Sequence, residues 1–498
     1  MFVRRQGDIG HIFLIVFLIF ISYSLSLKGG FTYDDHYVIE NNNFVKNLSL
    51  HNIKGFFLAQ NSSFLSDSTM YRPLLFLSYA WDYWLGGGKA FVFHLDSLFL
   101  HILASLLFML ILYKIFNFSR EISFILALFF GLQPANSQSV CFISARGDIL
   151  FSLFLLGAFY FYAKDKHWLS LLLFVLGILS KETAVVFLPL IIAYDLLFKQ
   201  RKKLTFYLAV VVTIGVYLSW RYILFSNIIT THFARSRGQD FILFARSFFS
   251  YFSIWFLPFS LSIKHSLGRN YFLDISGIAI FITVFLLSLF LLKRREKKAF
   301  LGFLWGIFPL LILVLGSFNT PLGEQRIYFS GFGFVIFLGV FAAKMRKDYL
   351  HWFLIFAFML TAWRSFLWSE PVFIWQDAAS KYPGDWLVCE NLAYEYQRRG
   401  DFQKAKAYYT KAIKINKRAF RSLYNLGTIL GKEGKAQESI FYLQRAIKIK
   451  PDACAYYNLA LSYLSLPNPD KEKARAYLKK AASLGYKVSL KIKQLIGR

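Results

Sequence analysis

Apolar runs recur along the first three quarters of the chain, at 10–27, 91–113, 121–138, 148–163, 167–180, 183–198, 204–224, 241–262, 275–292, 299–317, 326–343 and 349–369. Their length and lack of charge predict spanning helices, since roughly 20 mostly apolar residues cross the hydrocarbon. The basic punctuation predicts the topology. "KQRKK" (199–203), "KRREKK" (293–298) and "KMRK" (344–347), with Lys114, Arg120, Lys164 and Lys166, read as cytoplasmic loops. Three windows separate the first two clusters, and an odd number would put them on opposite sides. One window therefore does not cross. That window is 241–262, with Arg246 in its middle and Pro258 near its end. Such residues at membrane depth need a cavity or an interface, so a re-entrant or interfacial segment is expected. Eleven of the twelve windows then span, with the N-terminus cytoplasmic. Loops 28–90, 139–147, 180–183, 225–274 and 318–325, and everything after 370, fall outside. The N-terminal run follows Arg4 and Arg5 and lacks a clear cleavage site, which predicts an uncleaved signal anchor.

The outer loop 28–90 contains two shorter amphipathic or aromatic stretches, 48–65 and 71–88. Each reads as a helix lying at the interface, and the Trp and Tyr residues between 79 and 84 suit the headgroup belt. After Trp375 the pattern changes. Charge rises and a 34-residue period appears: Asn391 and Asn425, Gly400 and Gly434, Ala412 and Ala446, with a third copy beginning near Asn458. Small residues at helix-crossing positions on this period are the tetratricopeptide (TPR) pattern, and three repeats are near the minimum for a stable stack. The expected organisation is a polytopic all-α membrane domain, 1–375, followed by a TPR α-solenoid, 376–498, on the periplasmic or exoplasmic side.

Composition agrees with a membrane protein: 56% of residues are apolar and only 17% charged, against about 25% in soluble proteins. Much of the net charge of +29 lies in short loops between spans, where the positive-inside rule puts it, so it does not call for nucleic acid. Residues 380–498 add 24 basic and 9 acidic residues. That balance suits either a solvated face that meets anionic headgroups or a cradle for an acceptor polypeptide. The three cysteines form no CxxC pair, and no P-loop, GxGxxG or zinc motif is present. No metal site is read, and nothing offers a cradle for a soluble nucleotide donor.

Ionisable residues near membrane depth are functional candidates by default. On the outer side these are Asp34, Asp35, Arg72, His94, Arg146, Asp148, Lys181, Glu182, Glu324, Arg326 and Tyr328. The adjacent Asp34 and Asp35 cannot both point the same way on a loop. One can act as general base toward an acceptor hydroxyl while the other caps or pairs, and partial burial would raise the base's pKa. Arg146 and Lys181 sit beside Asp148 and Glu182. They either pair with those neighbours or together hold a phosphate as a leaving group. His94 and His101 share a helix face and read as core or donor-contacting residues. A base and a phosphate clamp at one membrane face fit a lipid-phosphate donor.

The order of motifs resembles the membrane GT-C glycosyltransferases, in particular the transmembrane-and-TPR protein O-mannosyltransferases and their bacterial relatives. The stretches are "FTYDDHYVIENN" (31–42), "YRPLLFLSYAWDYWLGG" (71–87), "FHLDSLFLH" (93–101), "LQPANSQSVCFISARGDILFSLFLL" (132–156), "LSKETAVVFLPLIIAYDLL" (179–197), "YFSIWFLPFSLSIKH" (251–265) and "GEQRIYFSGFGF" (323–334). The resemblance implies catalysis by Asp34 and Asp35, a polyprenyl- or dolichyl-phosphate sugar donor and a Ser or Thr acceptor. It maps the family's Arg-x-acid pair to Arg146 and Asp148, and its Lys-Glu pair to Lys181 and Glu182. Two departures stand out. Gln133 precedes Pro134 where the family often has His, and Arg326 lies one place later than in the family's Glu-Arg-x-x-Tyr motif. The expected function is transfer of a sugar, such as mannose, to an exported protein at the cytoplasmic membrane's outer face. The competing classes are a non-enzymatic TPR scaffold that recruits envelope proteins and a lipid-linked-glycan transporter. A transporter would need polar groups through the midplane, whereas here they gather at one face.

Overall fold

The computed structural model describes residues 2–59, 71–199, 203–225, 237–265, 271–315, 322–489 and 492. The side chains of 2–8, 237–246, 271–274 and 313–315 lie outside that description. Every regular element among the described residues is helical. The chain divides into two compact units, Met1–Pro371 and Val372–Arg498.

Among the described residues of the first unit, seven helices are long and apolar enough to cross a membrane: Ile9–Lys28, Ala90–Lys114, Ile143–Ala163, Leu204–Phe225, Ile275–Lys293, Glu324–Ala342 and Lys347–Trp368. This is an integral membrane protein. The pattern predicted eleven spans; of the four windows beyond these seven, three are short elements and the fourth, 299–317, is the helix Lys297–Leu315 beside the undescribed residues 316–321. Window 121–138 is a helix only over Arg120–Gly131, because Gln133 is extended and Pro134 opens a separate turn. Twelve helical residues reach about 18 Å, short of the roughly 30 Å hydrocarbon thickness. His167–Ser180 is apolar but also short, and window 183–198 breaks into a 3₁₀ turn, the helix Phe187–Tyr194 and a π turn. Segment 241–262 is helical to Phe256 and then irregular around Pro258. The Arg246 side chain and residues 200–202 of the basic "KQRKK" cluster lie outside the description.

Packing follows from the residue types. Helices Ile143–Ala163 and Glu324–Ala342 are enclosed by the others, whereas Leu204–Phe225 and Ile275–Lys293 expose most of their apolar surface. Phenylalanines fill the centre: Phe130 stacks on Phe332 with ring centroids 4.0 Å apart, and Phe108 meets Phe332 edge-on at 4.9 Å. Helices Lys297–Leu315 and Tyr328–Ala342 touch backbone to backbone. A methyl at Gly302 would come 2.7 Å from Phe337 N, and Gly333 lies directly against the Gly306 backbone. Small residues permit this approach where dispersion, not water exclusion, holds helices together.

The first outer loop is folded onto this bundle. Val38, Ile39, Val45 and Phe56 form one core with Leu75, Phe76, Tyr79, Phe93 and Ile143. The two stretches expected at the interface contain the helices Leu50–Phe57, capped by Ser49, and Pro73–Gly86, which ends at Gly87 in the left-handed region. Trp81 and Trp84 of the second are exposed.

The second unit is a run of paired helices. Gly400 and Gly434, 34 residues apart, take φ of 80° and 79° in successive turns, a conformation that suits glycine. Buried Glu390 accepts hydrogen bonds from Ser422 N (3.0 Å) and Oγ (2.7 Å), joining one pair to the next.

Candidate active site

The sequence-predicted residues gather around one segment, 133–148, a chain of short turns between Arg120–Gly131 and Arg146–Ala163. The first loop meets it directly. Tyr33 is held at φ 51°, a region that a bulky side chain rarely adopts. The two carboxylates that follow part company: Asp34 is exposed, whereas Asp35 is 1% exposed. Asp35 Oδ1 accepts from Ser144 N at 2.8 Å and from the Ser144 hydroxyl, and Oδ2 accepts from Thr32 N at 3.2 Å. Burial pushes the Asp35 carboxyl up to about 7, against the opposing pull of those hydrogen bonds. Asp35 thus ties the first loop to Ser144, two residues before Arg146. Phe142 on the same segment packs against Tyr33 and stacks on Trp368.

Arg146 is fully buried, and its donors are used inside the protein. Nη2 pairs with Asp82 at 2.6 Å and donates to Phe93 O at 2.7 Å. Nη1 pairs with Asp96 at 3.2 Å and donates to Ser78 Oγ at 3.3 Å, and Nε donates to Ser97 Oγ at 3.0 Å. Its guanidinium also lies over the Tyr79 ring, 5.1 Å from the centroid. This geometry makes Arg146 the bolt between helices Pro73–Gly86, Ala90–Lys114 and Arg146–Ala163. The expected partner, Asp148, instead takes Lys181 Nζ at 2.5 Å. Burial holds the Lys181 amine below its usual range, with Asp148 acting in the other direction. Glu182 in turn accepts a two-pronged contact from Arg72, Nε at 3.0 Å and Nη2 at 2.7 Å. Burial alone would raise Glu182, but Arg72 outweighs it and holds that carboxyl well below the usual range. Neither Asp148 nor Glu182 pairs with the base beside it in sequence. The Arg72 and Glu182 side chains remain 16% and 25% exposed.

A second cluster abuts the same segment. Glu324 is fully buried, accepting from Ser262 N, pairing with His265 Nε2 at 2.9 Å and with Arg364 Nη2 at 3.4 Å. Ser139 Oγ donates to Gln325 O at 3.3 Å, and Gln138 Nε2 to Ile263 O at 3.0 Å. Arg326, two residues on in the same 3₁₀ turn, is half-buried. Tyr328, expected at the site, is enclosed in the bundle with its hydroxyl 2.7 Å from His101 Nδ1. His94 is buried beside Gly29, where an added methyl would come 3.1 Å from Nε2. Among the described residues no group of three or more His, Cys, Asp or Glu could hold a metal ion.

Sequence reasoning missed Asp82, Asp96, Ser144, His265 and Arg364. Asp82 in "AWDYW" and Arg364 in "TAWRSFLW" carried the available signal, a charge inside an apolar stretch. Ser144 carried none.

Comparison with known proteins adds the relatives. Tetratricopeptide repeat families match residues 386–419 and 420–452. The Caenorhabditis elegans protein O-mannosyl-transferase F38B6.6 is 24% identical over 474 residues, 90% of this chain and 64% of its own length. The human protein O-mannosyl-transferases TMTC1 and TMTC4 are 29% and 28% identical over 37% and 36% of this chain, and 23% and 28% of their own lengths. The chain is similar to protein O-mannosyl-transferases. It spans less than two thirds of each of these relatives. The resemblance expected from the motif order is met along nine-tenths of the chain.

Proposed function

We propose that this protein is a GT-C-type glycosyltransferase that moves a sugar from a polyprenyl-phosphate donor to a Ser or Thr hydroxyl at the outer membrane face. The observation that carries the reading is the division of labour in the first loop: an exposed Asp34 presented by a loop that buried Asp35 pins to Ser144. Similarity to protein O-mannosyl-transferases over most of the chain favours the same class. Asp34 takes the proton from the acceptor hydroxyl. The acceptor oxygen attacks the anomeric carbon, and the bond from that carbon to the lipid-phosphate oxygen breaks. The phosphate leaves with the bonding pair, and cations stabilise that charge. Arg146 is fully enclosed, so the cations with reachable surface, Arg72 and Arg326, are the better holders, with Lys181 behind Arg72. A single displacement inverts the anomeric configuration.

The test is to reconstitute the purified chain with a radiolabelled polyprenyl-phosphate mannose and a Ser/Thr peptide, then determine the anomeric configuration of any glycopeptide by NMR. Transfer with inversion is expected. Retention would overturn the single displacement, and transfer only from a nucleotide sugar would overturn the lipid donor.

A further inference from the structure

One turn at the candidate site carries a side chain that its backbone disfavours. Thr32 O accepts from Asp35 N at 3.0 Å, so residues 32–35 form a tight turn with Tyr33 and Asp34 at its corners. φ is 51° at Tyr33, while Asp34 is not among the positive-φ residues. Positive φ at the first corner alone is a place for glycine. Among the described residues the other non-glycine positions of positive φ are Ala59, Asn117, Asp165 and Arg295, so Tyr33 is the aromatic exception. The turn is held from both ends. Asp35 accepts from Thr32 N at 3.2 Å and from Ser144 N at 2.8 Å, and Asp34 O accepts from Tyr37 N at 2.9 Å and Val38 N at 3.0 Å. Strain retained in so fixed a turn points to work for the side chain that glycine could not do.

The Tyr33 ring ends a ladder. Phe142 lies 6.4 Å from it and stacks on Trp368 at 5.9 Å. Phe142 and Trp368 are buried, whereas Tyr33 is half-buried. An aromatic ring thus reaches the surface one residue from the exposed Asp34. The two side chains together have the composition of a sugar site. The C–H groups on one face of a pyranose are slightly positive and suit the negative face of an aromatic ring, and a carboxylate accepts from hydroxyls. We propose that Tyr33 is a specificity-determining residue, its ring stacking on the sugar of the lipid-linked donor and setting the anomeric carbon beside Asp34. The ring face carries this role and the phenol oxygen is dispensable. Naming the sugar as a donor's rests on the transferase reading; the stacking does not.

The experiment uses the full chain in lipid nanodiscs and two probes, polyprenyl-phosphate mannose and the same polyprenyl phosphate without sugar. Binding of each is measured for the parent and for Tyr33→Phe, Tyr33→Leu and Tyr33→Gly. The parent should hold the sugar-bearing lipid about five- to tenfold more tightly. Tyr33→Phe should keep that preference. Tyr33→Leu retains apolar bulk and the same backbone strain but has no ring face, and should bind both lipids alike. Tyr33→Gly relieves the strain and should lose the preference too. The leucine variant decides the matter even where the glycine variant folds poorly, because a ring that only covers Phe142 could be replaced by leucine with no change in sugar preference. Preference retained in Tyr33→Leu, or no preference in the parent, overturns the proposal. A raised KM for a Ser/Thr peptide with the sugar preference intact also overturns it, since the ring would then face the acceptor. Transfer to that peptide by the parent is assayed in parallel. A ring-dependent sugar preference without transfer would remove the transferase reading and leave the stacking assignment standing.

Discussion

Adjacent residues of identical chemistry take opposite environments at this site, and the reason is non-local. Asp35 is buried because Ser144, 109 positions away, supplies both a backbone and a hydroxyl donor. Asp34 is left at the surface. The doubled acid was visible in the sequence, but not which acid is which, because no pattern links Ser144 to it. The environment has a measurable consequence. In the unfolded chain the Asp35 carboxyl titrates near 4, whereas in the fold burial raises it to about 7. Between those values the unfolded chain has lost the proton that the folded chain keeps, so this group's contribution to stability falls as pH rises across the window and is flat above it. Asp35→Asn removes that slope. The melting temperature of the variant relative to the parent should rise between pH 5 and pH 7.5. Arg146 gives a second prediction. Its removal leaves Asp82 and Asp96 without their counter-charge, so Arg146→Ala should cost about 3–5 kcal/mol of stability. Arg146→Lys should not recover it, since an ammonium cannot reach five directions at once. Thermal unfolding in detergent checks both. A stable but inactive Arg146→Ala protein would return this residue to the phosphate clamp.

Among the elements, apolar windows identified the long helices and the 34-residue period the repeats, but neither showed where the windows break into short elements. A hydropathy window records how apolar a stretch is. It does not record that Gln133 turns extended before Pro134, or that 183–198 breaks into a 3₁₀ turn, a short helix and a π turn. Those interruptions are what bring residues 133–148 into a knot of turns where the acids and bases meet. The same limit applies to ion pairing. The neighbours Arg146–Asp148 and Lys181–Glu182 read as pairs in one dimension, yet each acid pairs with a base from another element. Helix contact predicts a third outcome. Gly302 lies where any side chain would strike the Phe337 backbone, so Gly302→Leu should force the two helices apart. Purification should then give a markedly lower folded yield and melting temperature, while the same change at Gly215, with nothing within 4 Å, should be tolerated.

For the molecule as a whole, the account joins a membrane unit that holds every candidate catalytic residue to a repeat unit suited to polypeptide. It requires the first loop and the basic loops to lie on opposite faces. Single cysteines at Asn41 and at Lys293, both exposed, should react with an impermeant maleimide only from outside and only from inside, respectively. Labelling of both from one face would dismantle the topology and with it the placement of the base. The central claim is that Asp34 does the proton chemistry and Asp35 holds the loop. It is tested most directly by measuring sugar transfer from a polyprenyl-phosphate donor by Asp34→Asn and Asp35→Asn proteins at equal folded amounts. The account predicts that Asp34→Asn loses about 10²–10⁴ of the rate with its melting temperature unchanged. Asp35→Asn should keep more activity and gain stability relative to the parent as pH rises from 5 to 7.5. Full transfer by Asp34→Asn would contradict it.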